Sequence, residues 1–165
     1  MPDDLYSLQS IAEAIARHPE RWRPLVLTNG CFDLIHAGHV RYLTQAKSLG
    51  RSLVVGLNSD RSVRAIKPPR PGYPPRPIVP EWQRAEVLAA LKPVDGVVIF
   101  GDRTADRLIE TLQPDIYVKG GDYTRSTLPE TPTVQACGGR IVFVTVEIPS
   151  STSGLVDRIL GKSQI

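Results

Sequence analysis

The chain has 165 residues, 41% of them hydrophobic, which is enough for one compact core and short for two domains. Its cysteines, Cys31 and Cys137, are too few and too far apart for a disulfide framework or a zinc-ligand spacing, and they favour a reducing compartment. The N-terminal stretch MPDDLYSLQS lacks the basic and apolar regions of a signal peptide, and no run of about 18 apolar residues follows. We therefore expect a cytoplasmic protein that does not enter a membrane.

The formal net charge of +3 is unevenly distributed, since residues 61–84 hold six basic residues against Glu81 alone. A short basic segment suits a small polyanionic ligand better than a nucleic acid, which needs basic residues interleaved with aromatic ones over a broad face. A solvated basic loop is the alternative interpretation. The charge pattern predicts small-molecule partners and no nucleic acid.

The first predicted element is a helix capped by Ser7, with apolar residues at intervals of three or four, which Pro19 ends. We expect it to be an appended docking helix, so that residues 1–24 lead into a domain of residues 25–165. Trp22 and this helix are candidates for an interface in a homo-oligomer.

Five short β-rich runs follow, most of them continuously apolar, as in strands that are covered on both faces. They comprise residues 25–28, 52–57, 96–100, 116–119 and 140–146. Helical stretches alternate with them at residues 40–49, 81–91, 104–113 and 153–160. This alternation predicts an α/β fold with a Rossmann-like, doubly wound, five-stranded parallel sheet.

Polar clusters follow four of the predicted strands, where open parallel sheets bind their ligands. They comprise residues 28–39, 58–60, 119–122 and 150–153. A further segment, residues 67–80, has seven prolines in fourteen residues, so it can be neither regular helix nor central strand. We expect it to form a stiff flap that carries cations across this edge of the sheet.

The first cluster, TNGCFDLIHAGH, lies where a strand gives way to a helix. Asn29 and Gly30 permit a tight exit from the strand, and Gly38 allows a ligand close to the helix N-terminus, which favours phosphate. His36 and His39 are three residues apart, so both side chains can donate to one phosphate. A metal site would need a third ligand from elsewhere, and a purely structural pair is the remaining alternative.

Neither the dinucleotide fingerprint nor the Walker pattern is present, which argues against a nicotinamide dehydrogenase or a P-loop enzyme. The combination N-G-C-F-D-L-I-H-A-G-H, N-S-D, V-K-G-G-D-Y and S-S-T-S instead resembles the H-x-G-H nucleotidyltransferase superfamily over about residues 25–160. Within it, V-K-G-G-D-Y is most similar to the bacterial D-glycero-β-D-manno-heptose 1-phosphate adenylyltransferases. The resemblance implies a nucleotidyltransferase-type fold.

The resemblance implies ATP as a substrate, normally with Mg²⁺, and ADP-heptose and pyrophosphate as products. A sugar phosphate is already largely dianionic at neutral pH, so it needs no general base to attack. Catalysis then rests on positioning and electrostatics. We accordingly expect His36 and His39 to donate hydrogen bonds to the triphosphate.

The predicted site residues fall into three groups. The catalytic group is His36, His39 and Lys67. The nucleotide-binding group is Asn29, Gly30, Cys31, Phe32, Gly38, Asp122, Ser151, Thr152 and Ser153. The substrate-binding group is Asp33, Asp60, Arg84 and Lys119, and no protein ligand for a metal is predicted.

Several of these residues also have structural interpretations. Serines and threonines cap helices, stabilisation of a turn is the alternative interpretation of Asp122, and Asp33 is expected to brace its loop. Relatives have a shorter glycine-containing loop after Lys67, so the sequence leaves open whether Arg70 or Arg76 faces the site. The other hypotheses are a glycerol 3-phosphate cytidylyltransferase, an FMN adenylyltransferase and a nucleotide-binding regulator without turnover.

Overall fold

The computed structural model describes residues 4–121, 123–146 and 151–162. It contains a six-stranded sheet in which every pair of neighbouring strands is parallel. The strands are β1 (Leu5–Tyr6), β2 (Leu25–Gly30), β3 (Ser52–Asn58), β4 (Gly96–Phe100), β5 (Ile116–Gly120) and β6 (Arg140–Val144). Their order across the sheet is β1-β4-β3-β2-β5-β6.

The predicted fold class is confirmed, with one strand more than expected. β1 pairs with β4 at the edge of the sheet, where Leu5 lies opposite Val97. The five predicted strands are present, and the apolar runs of the inner strands β2, β3 and β4 are largely buried, as in strands that are covered on both faces. All seven residues of β3 are buried, for example.

The described helices are α1 (Leu8–Arg17), α2 (Pro19–Trp22), α3 (Ala37–Lys47), α4 (Asp60–Ile66), α5 (Glu81–Ala89), α6 (Asp106–Leu112), α7 (Thr131–Ala136) and α8 (Thr152–Ile159). Three of them, α2, α4 and α7, have no more than seven residues each and were not predicted. No helix in the described ranges has both the length and the apolar character that crossing a bilayer requires.

The N-terminal helix packs into the main core. The side chain of Ser7 caps α1 by accepting a hydrogen bond from the backbone N–H of Ser10, as predicted. Ile11 and Ile15 are buried, and Trp22 is only 3% exposed. Trp22 therefore lacks the exposed surface that we expected of an oligomer interface. The domain boundary at residue 25 stays a prediction.

The sheet separates two hydrophobic clusters. Side chains of α1, α6 and α7 pack on one face, including Leu108 and Val134. Side chains of α3 and α5 pack on the other, including Leu43 and Leu88. Strands β3 and β4 extend the sheet to one side of β2, whereas β5 and β6 lie on its other side. The winding reverses between β2 and β5, which opens a crevice beyond the carboxyl ends of these strands.

Candidate active site

A cavity of about 570 Å³ lies at this edge of the sheet. Its floor consists of strand ends, including Asn29, Asn58 and Lys119. One wall, which we call the histidine wall, is formed by Phe32, Asp33, His36, His39, Lys67 and Arg76. The opposite wall, which we call the carboxylate wall, is formed by Arg103, Thr104, Tyr123, Pro129 and Glu130. Helix α3 and helices α6 and α7 lie on opposite faces of the sheet, so the walls belong to different layers.

The structure brings twelve of the predicted site residues to this cavity. They are Asn29, Gly30, Cys31, Phe32, Asp33, His36, His39, Lys67, Lys119, Ser151, Thr152 and Ser153. Asp60, Arg84 and Gly38 do not line it. Asp122 lies outside the described residues.

The two histidines form a reciprocal cap at the start of α3. The Nδ1 atom of His36 accepts a hydrogen bond from the backbone N–H of Gly38 at 3.1 Å. The Nδ1 atom of His39 accepts one from the backbone N–H of His36 at 3.4 Å. The ring centroids are 3.9 Å apart, with 37° between the ring planes. The cap fixes the orientation of both rings. Because the N–H of Gly38 is already hydrogen-bonded to His36, it is not available to a ligand, and the two imidazoles are the donors at this helix start.

The cap also determines which nitrogen carries the proton. Because each Nδ1 accepts a hydrogen bond, the proton of each neutral imidazole resides on Nε2, which can donate to a ligand. Burial lowers the pKa of His36. Burial, followed by the neighbouring His36, lowers the pKa of His39 to about 4. At neutral pH both side chains are therefore neutral Nε2–H donors and weak bases.

Arg84 is a buried structural clamp. Its guanidinium donates to the carbonyl oxygens of Cys31, Asn58 and Val79 at 2.6, 2.9 and 2.8 Å. It also donates to Oδ1 of Asp60 at 2.7 Å. This fork of donors joins the loop after β2, the end of β3 and the end of the flap. Our expectation that Arg84 and Asp60 meet the substrate is therefore corrected, because they bind each other and Arg84 is fully buried.

Asp33 joins the histidine turn to the flap. Its buried carboxylate accepts hydrogen bonds from Nε of Arg76 and from the backbone N–H groups of Ile78 and Val79. Asp33 therefore braces the loop, and Arg76 rather than Arg70 lines the main cavity. Arg70 instead stacks over the ring of Tyr73 at 3.9 Å.

The flap has no regular helix or strand between residues 68 and 80, in agreement with the proline pattern. Two contacts join it to the C-terminal part of the chain. The hydroxyl of Tyr73 donates to Oδ1 of Asp157 in α8 at 2.7 Å, and Nζ of Lys162 donates to the carbonyl oxygen of Gly72 at 2.6 Å. The flap is therefore held at both of its sides, by α8 and by Asp33.

Two lysines reach the cavity in different ways. Lys67 follows α4, and its side chain makes no ion pair with the part of the chain that the structure describes. Lys119 donates to Oδ1 of Asn29 at 3.1 Å, and the hydroxyl of Tyr117 donates to the same oxygen at 2.6 Å. Burial lowers the pKa of Lys119, while the charge of Glu130 acts in the opposite direction. Lys119 thus fixes the end of β2, whereas Lys67 remains available to a ligand.

The hydroxyl residues at the start of α8 divide into a cap and two candidate donors. The Oγ atom of Ser151 accepts a hydrogen bond from the backbone N–H of Gly154 at 3.0 Å, so Ser151 is the cap. Thr152 and Ser153 line the cavity from the first turn of the helix. These two residues can present hydroxyl groups and a helix N-terminus to an anion.

Several cavity residues were not predicted from the sequence. Arg103 and Thr104 follow β4, so their position at a strand end was a usable signal that we missed. Glu130 precedes the six-residue helix α7 and lies 25 residues from Ala105, whose N–H it binds. The sequence pattern around Glu130 carries no comparable signal.

The described ranges contain no group of three or more His, Cys, Asp or Glu side chains that could hold a metal ion. The one acidic side chain of the histidine wall, Asp33, is already occupied by Arg76 and by backbone donors.

Residues 27–159 match the family model described as cytidylyltransferase-like. The chain belongs to the cytidylyltransferase-like family. Membership of this family implies a nucleoside triphosphate as one substrate.

The sequence is 47% identical to the bifunctional protein HldE of Geobacter metallireducens over 154 residues, 93% of this chain and 30% of that protein. It is 44% identical to HldE of Syntrophotalea carbinolica over the same shares of the two chains. The chain thus spans about a third of the length of these curated relatives.

Solved structures show the same fold. The lipopolysaccharide core biosynthesis protein from Thermoplasma volcanium GSS1 superimposes with a TM-score of 0.61 at 26% identity, over 76% of this chain and 97% of that one. A pantoate-beta-alanine ligase from Francisella tularensis gives a TM-score of 0.58 at 13% identity, over 91% and 69% of the two chains. The second likeness concerns the fold alone.

Proposed function

We propose that this chain transfers AMP from ATP to D-glycero-β-D-manno-heptose 1-phosphate, giving ADP-heptose and pyrophosphate. The observation that carries the proposal is the pair of capped imidazoles, whose Nε2–H donors belong to a cavity that also contains Lys67 and Ser153. The identity of the acceptor is supported by the V-K-G-G-D-Y segment and by the similarity to the HldE proteins.

The reaction is an in-line displacement at the α-phosphorus of ATP. An oxygen of the acceptor phosphate attacks this phosphorus, the bond to the bridging oxygen toward the β-phosphorus breaks, and pyrophosphate leaves with the electron pair. The acceptor is largely dianionic at neutral pH, so no side chain has to remove a proton. Neutral imidazoles suit this chemistry because they donate hydrogen bonds without acting as bases.

The side chains of the histidine wall lower the cost of bringing two anions together. His36 and His39 donate to the triphosphate, where negative charge builds up in the transition state. Lys67 neutralises phosphate charge, and Thr152 and Ser153 hold the leaving pyrophosphate. Mg²⁺ would bind through the oxygens of the triphosphate, since this ion commonly combines substrate phosphates with few protein ligands.

The proposal is tested by following pyrophosphate release from the full chain. ATP and CTP are each combined with heptose 1-phosphate, glycerol 3-phosphate and FMN. We expect release with ATP and heptose 1-phosphate, and at least a hundredfold lower kcat/KM with the other pairs. Preferential turnover of another pair contradicts the proposed acceptor or nucleotide. Tight ATP binding without release from any pair would instead indicate a regulator.

A further inference from the structure

Glu130 differs from Asp33, the other carboxylate that the described residues bring to the cavity. It is 4% exposed and lies on the carboxylate wall, immediately before α7. Asp33, on the histidine wall, has its oxygens occupied by Arg76, Ile78 and Val79. The role of Glu130 is not explained by the phosphate chemistry of the histidine wall.

One oxygen of Glu130 remains open to the cavity. Its Oε1 atom accepts a hydrogen bond from the backbone N–H of Ala105 at 3.1 Å, the sole hydrogen bond of this side chain within the described ranges. No cation of those ranges lies within ion-pair distance of it. Its Oε2 atom has no hydrogen-bond partner within those ranges, and Glu130 is one of the residues that line the cavity.

A carboxylate oxygen without a partner determines which groups of a ligand can bind to it. A carboxylate accepts hydrogen bonds and repels other anions, so it does not suit the phosphate groups of either substrate. It suits hydroxyl or amino groups, which donate hydrogen bonds and carry no negative charge. A mostly buried carboxylate that lacks such a donor is costly, and a ligand that supplies one recovers this cost on binding.

The surroundings of Glu130 agree with this chemistry. Besides the exposed cation Arg103, the carboxylate wall contains the hydroxyl of Thr104, the ring of Pro129 and the phenol of Tyr123. These three uncharged groups suit the uncharged body of a nucleoside or a sugar. The imidazoles and Lys67, which suit phosphates, belong to the opposite wall. Apart from Arg103, the lining of the cavity thus divides into a side that suits phosphates and a side that suits the uncharged part of a substrate.

We propose that Glu130 is a specificity-determining residue, whose open oxygen accepts a hydrogen bond from a hydroxyl or amino group in the uncharged part of a substrate. The inference rests on the proposed function for the identity of the two substrates. The donor belongs either to the adenosine of ATP or to the sugar of the acceptor. The two sources share one chemistry, and the experiment separates them.

The decisive variant is Glu130→Gln. Its amide oxygen can still accept from Ala105, whereas its NH₂ group meets the substrate's donor with another donor. We expect kcat/KM to fall about tenfold to a hundredfold for the substrate that Glu130 contacts, with the KM of the other substrate and the unfolding midpoint unchanged. Glu110→Gln, an exposed carboxylate on α6, is the matched control and should behave as the unaltered protein.

Substrate analogues identify the donor group. The nucleotide arm uses 2′-deoxy-ATP, 3′-deoxy-ATP and purine riboside triphosphate, which lacks the 6-amino group, and the sugar arm uses deoxy derivatives of the sugar 1-phosphate. The unaltered protein should discriminate against the analogue that lacks the contacted group. Glu130→Gln should lose this discrimination for that analogue alone, a pattern that a merely structural residue would not produce.

Two outcomes overturn the proposal. The first is a kcat/KM within twofold of the unaltered protein for every substrate. The second is an equal loss for all substrates and analogues with a lower unfolding midpoint, which would make Glu130 only a cap for Ala105. If the proposed turnover is absent, calorimetric binding of the nucleotide and sugar analogues answers the same question separately. If Glu130→Gln does not fold, equal binding of all analogues by the unaltered protein overturns the proposal.

Discussion

Replacing His39 separates the two functions of its imidazole, which caps α3 and donates into the cavity. Counted in bonds from Cα, the amide oxygen of Asn occupies the place of Nδ1, and the amide nitrogen of Gln occupies the place of Nε2. His39→Asn therefore keeps an acceptor for the backbone N–H of His36 and removes the donor toward the ligand. His39→Gln keeps the donor and removes the acceptor.

The expected effect of His39→Asn is a large loss of kcat with little loss of stability. The capping bond of His39 is long, at 3.4 Å, so its loss in the Gln variant should also cost less than about 1 kcal/mol of unfolding free energy. A donor aimed at developing charge contributes about 3 to 4 kcal/mol to the barrier, which corresponds to a loss of about two to three orders of magnitude in kcat.

The assay is pyrophosphate release at saturating substrates, with urea unfolding of each variant measured in parallel. We expect the order of kcat to be unaltered protein, then His39→Gln, then His39→Asn. A kcat for His39→Asn within tenfold of the unaltered value would refute the assignment of His39 as a phosphate donor. A larger loss of kcat in His39→Gln than in His39→Asn would show that the cap, and not the donor, governs the rate.

Three further predictions concern stability. Arg84→Met leaves three backbone carbonyl oxygens without their donor and should lower the unfolding free energy by about 3 kcal/mol or more in urea, whereas exposed Arg103→Met should leave it nearly unchanged. Asp33→Asn leaves the mostly buried Arg76 without its counter-charge and should cost about 3 to 5 kcal/mol, and a loss below 1 kcal/mol would contradict this account. Because the pKa of His39 is lowered from 6.5 to about 4, the unfolded chain binds more protons between these values. Stability should therefore fall as the pH drops from 6.5 toward 4, and less so in His39→Gln, as measured by urea unfolding at several pH values.

Much of the fold was readable from the sequence because its strands carry an unusually clear signal. The five predicted apolar runs became the strands β2 to β6. β1 could not be predicted, since two residues contain no pattern and its pairing with β4 depends on the rest of the sheet. α4 was missed because we interpreted its first residues as a ligand cluster, whereas Ser59 caps the helix by accepting from the N–H of Ser62.

The sequence predicted those site residues that belong to local motifs, and it did not predict those that tertiary packing brings to the site. The histidine turn specifies its own geometry, because Nδ1 of His36 and Gly38 are two residues apart in the chain. Arg84 was misassigned because three of its four partners are backbone carbonyl oxygens, which no side-chain pattern displays. The position of Glu130 likewise depends on how α6 packs against α7, which the sequence alone does not show.

The two walls of the cavity rest on hydrophobic layers that the sheet keeps apart. The width of the mouth is consequently a property of the whole fold, governed by how far each layer of helices stands from the strands. Substitutions that change the size of buried aliphatic side chains, far from any reacting atom, could therefore adapt the cavity to a larger or smaller acceptor. The residues that bind the phosphates would stay the same.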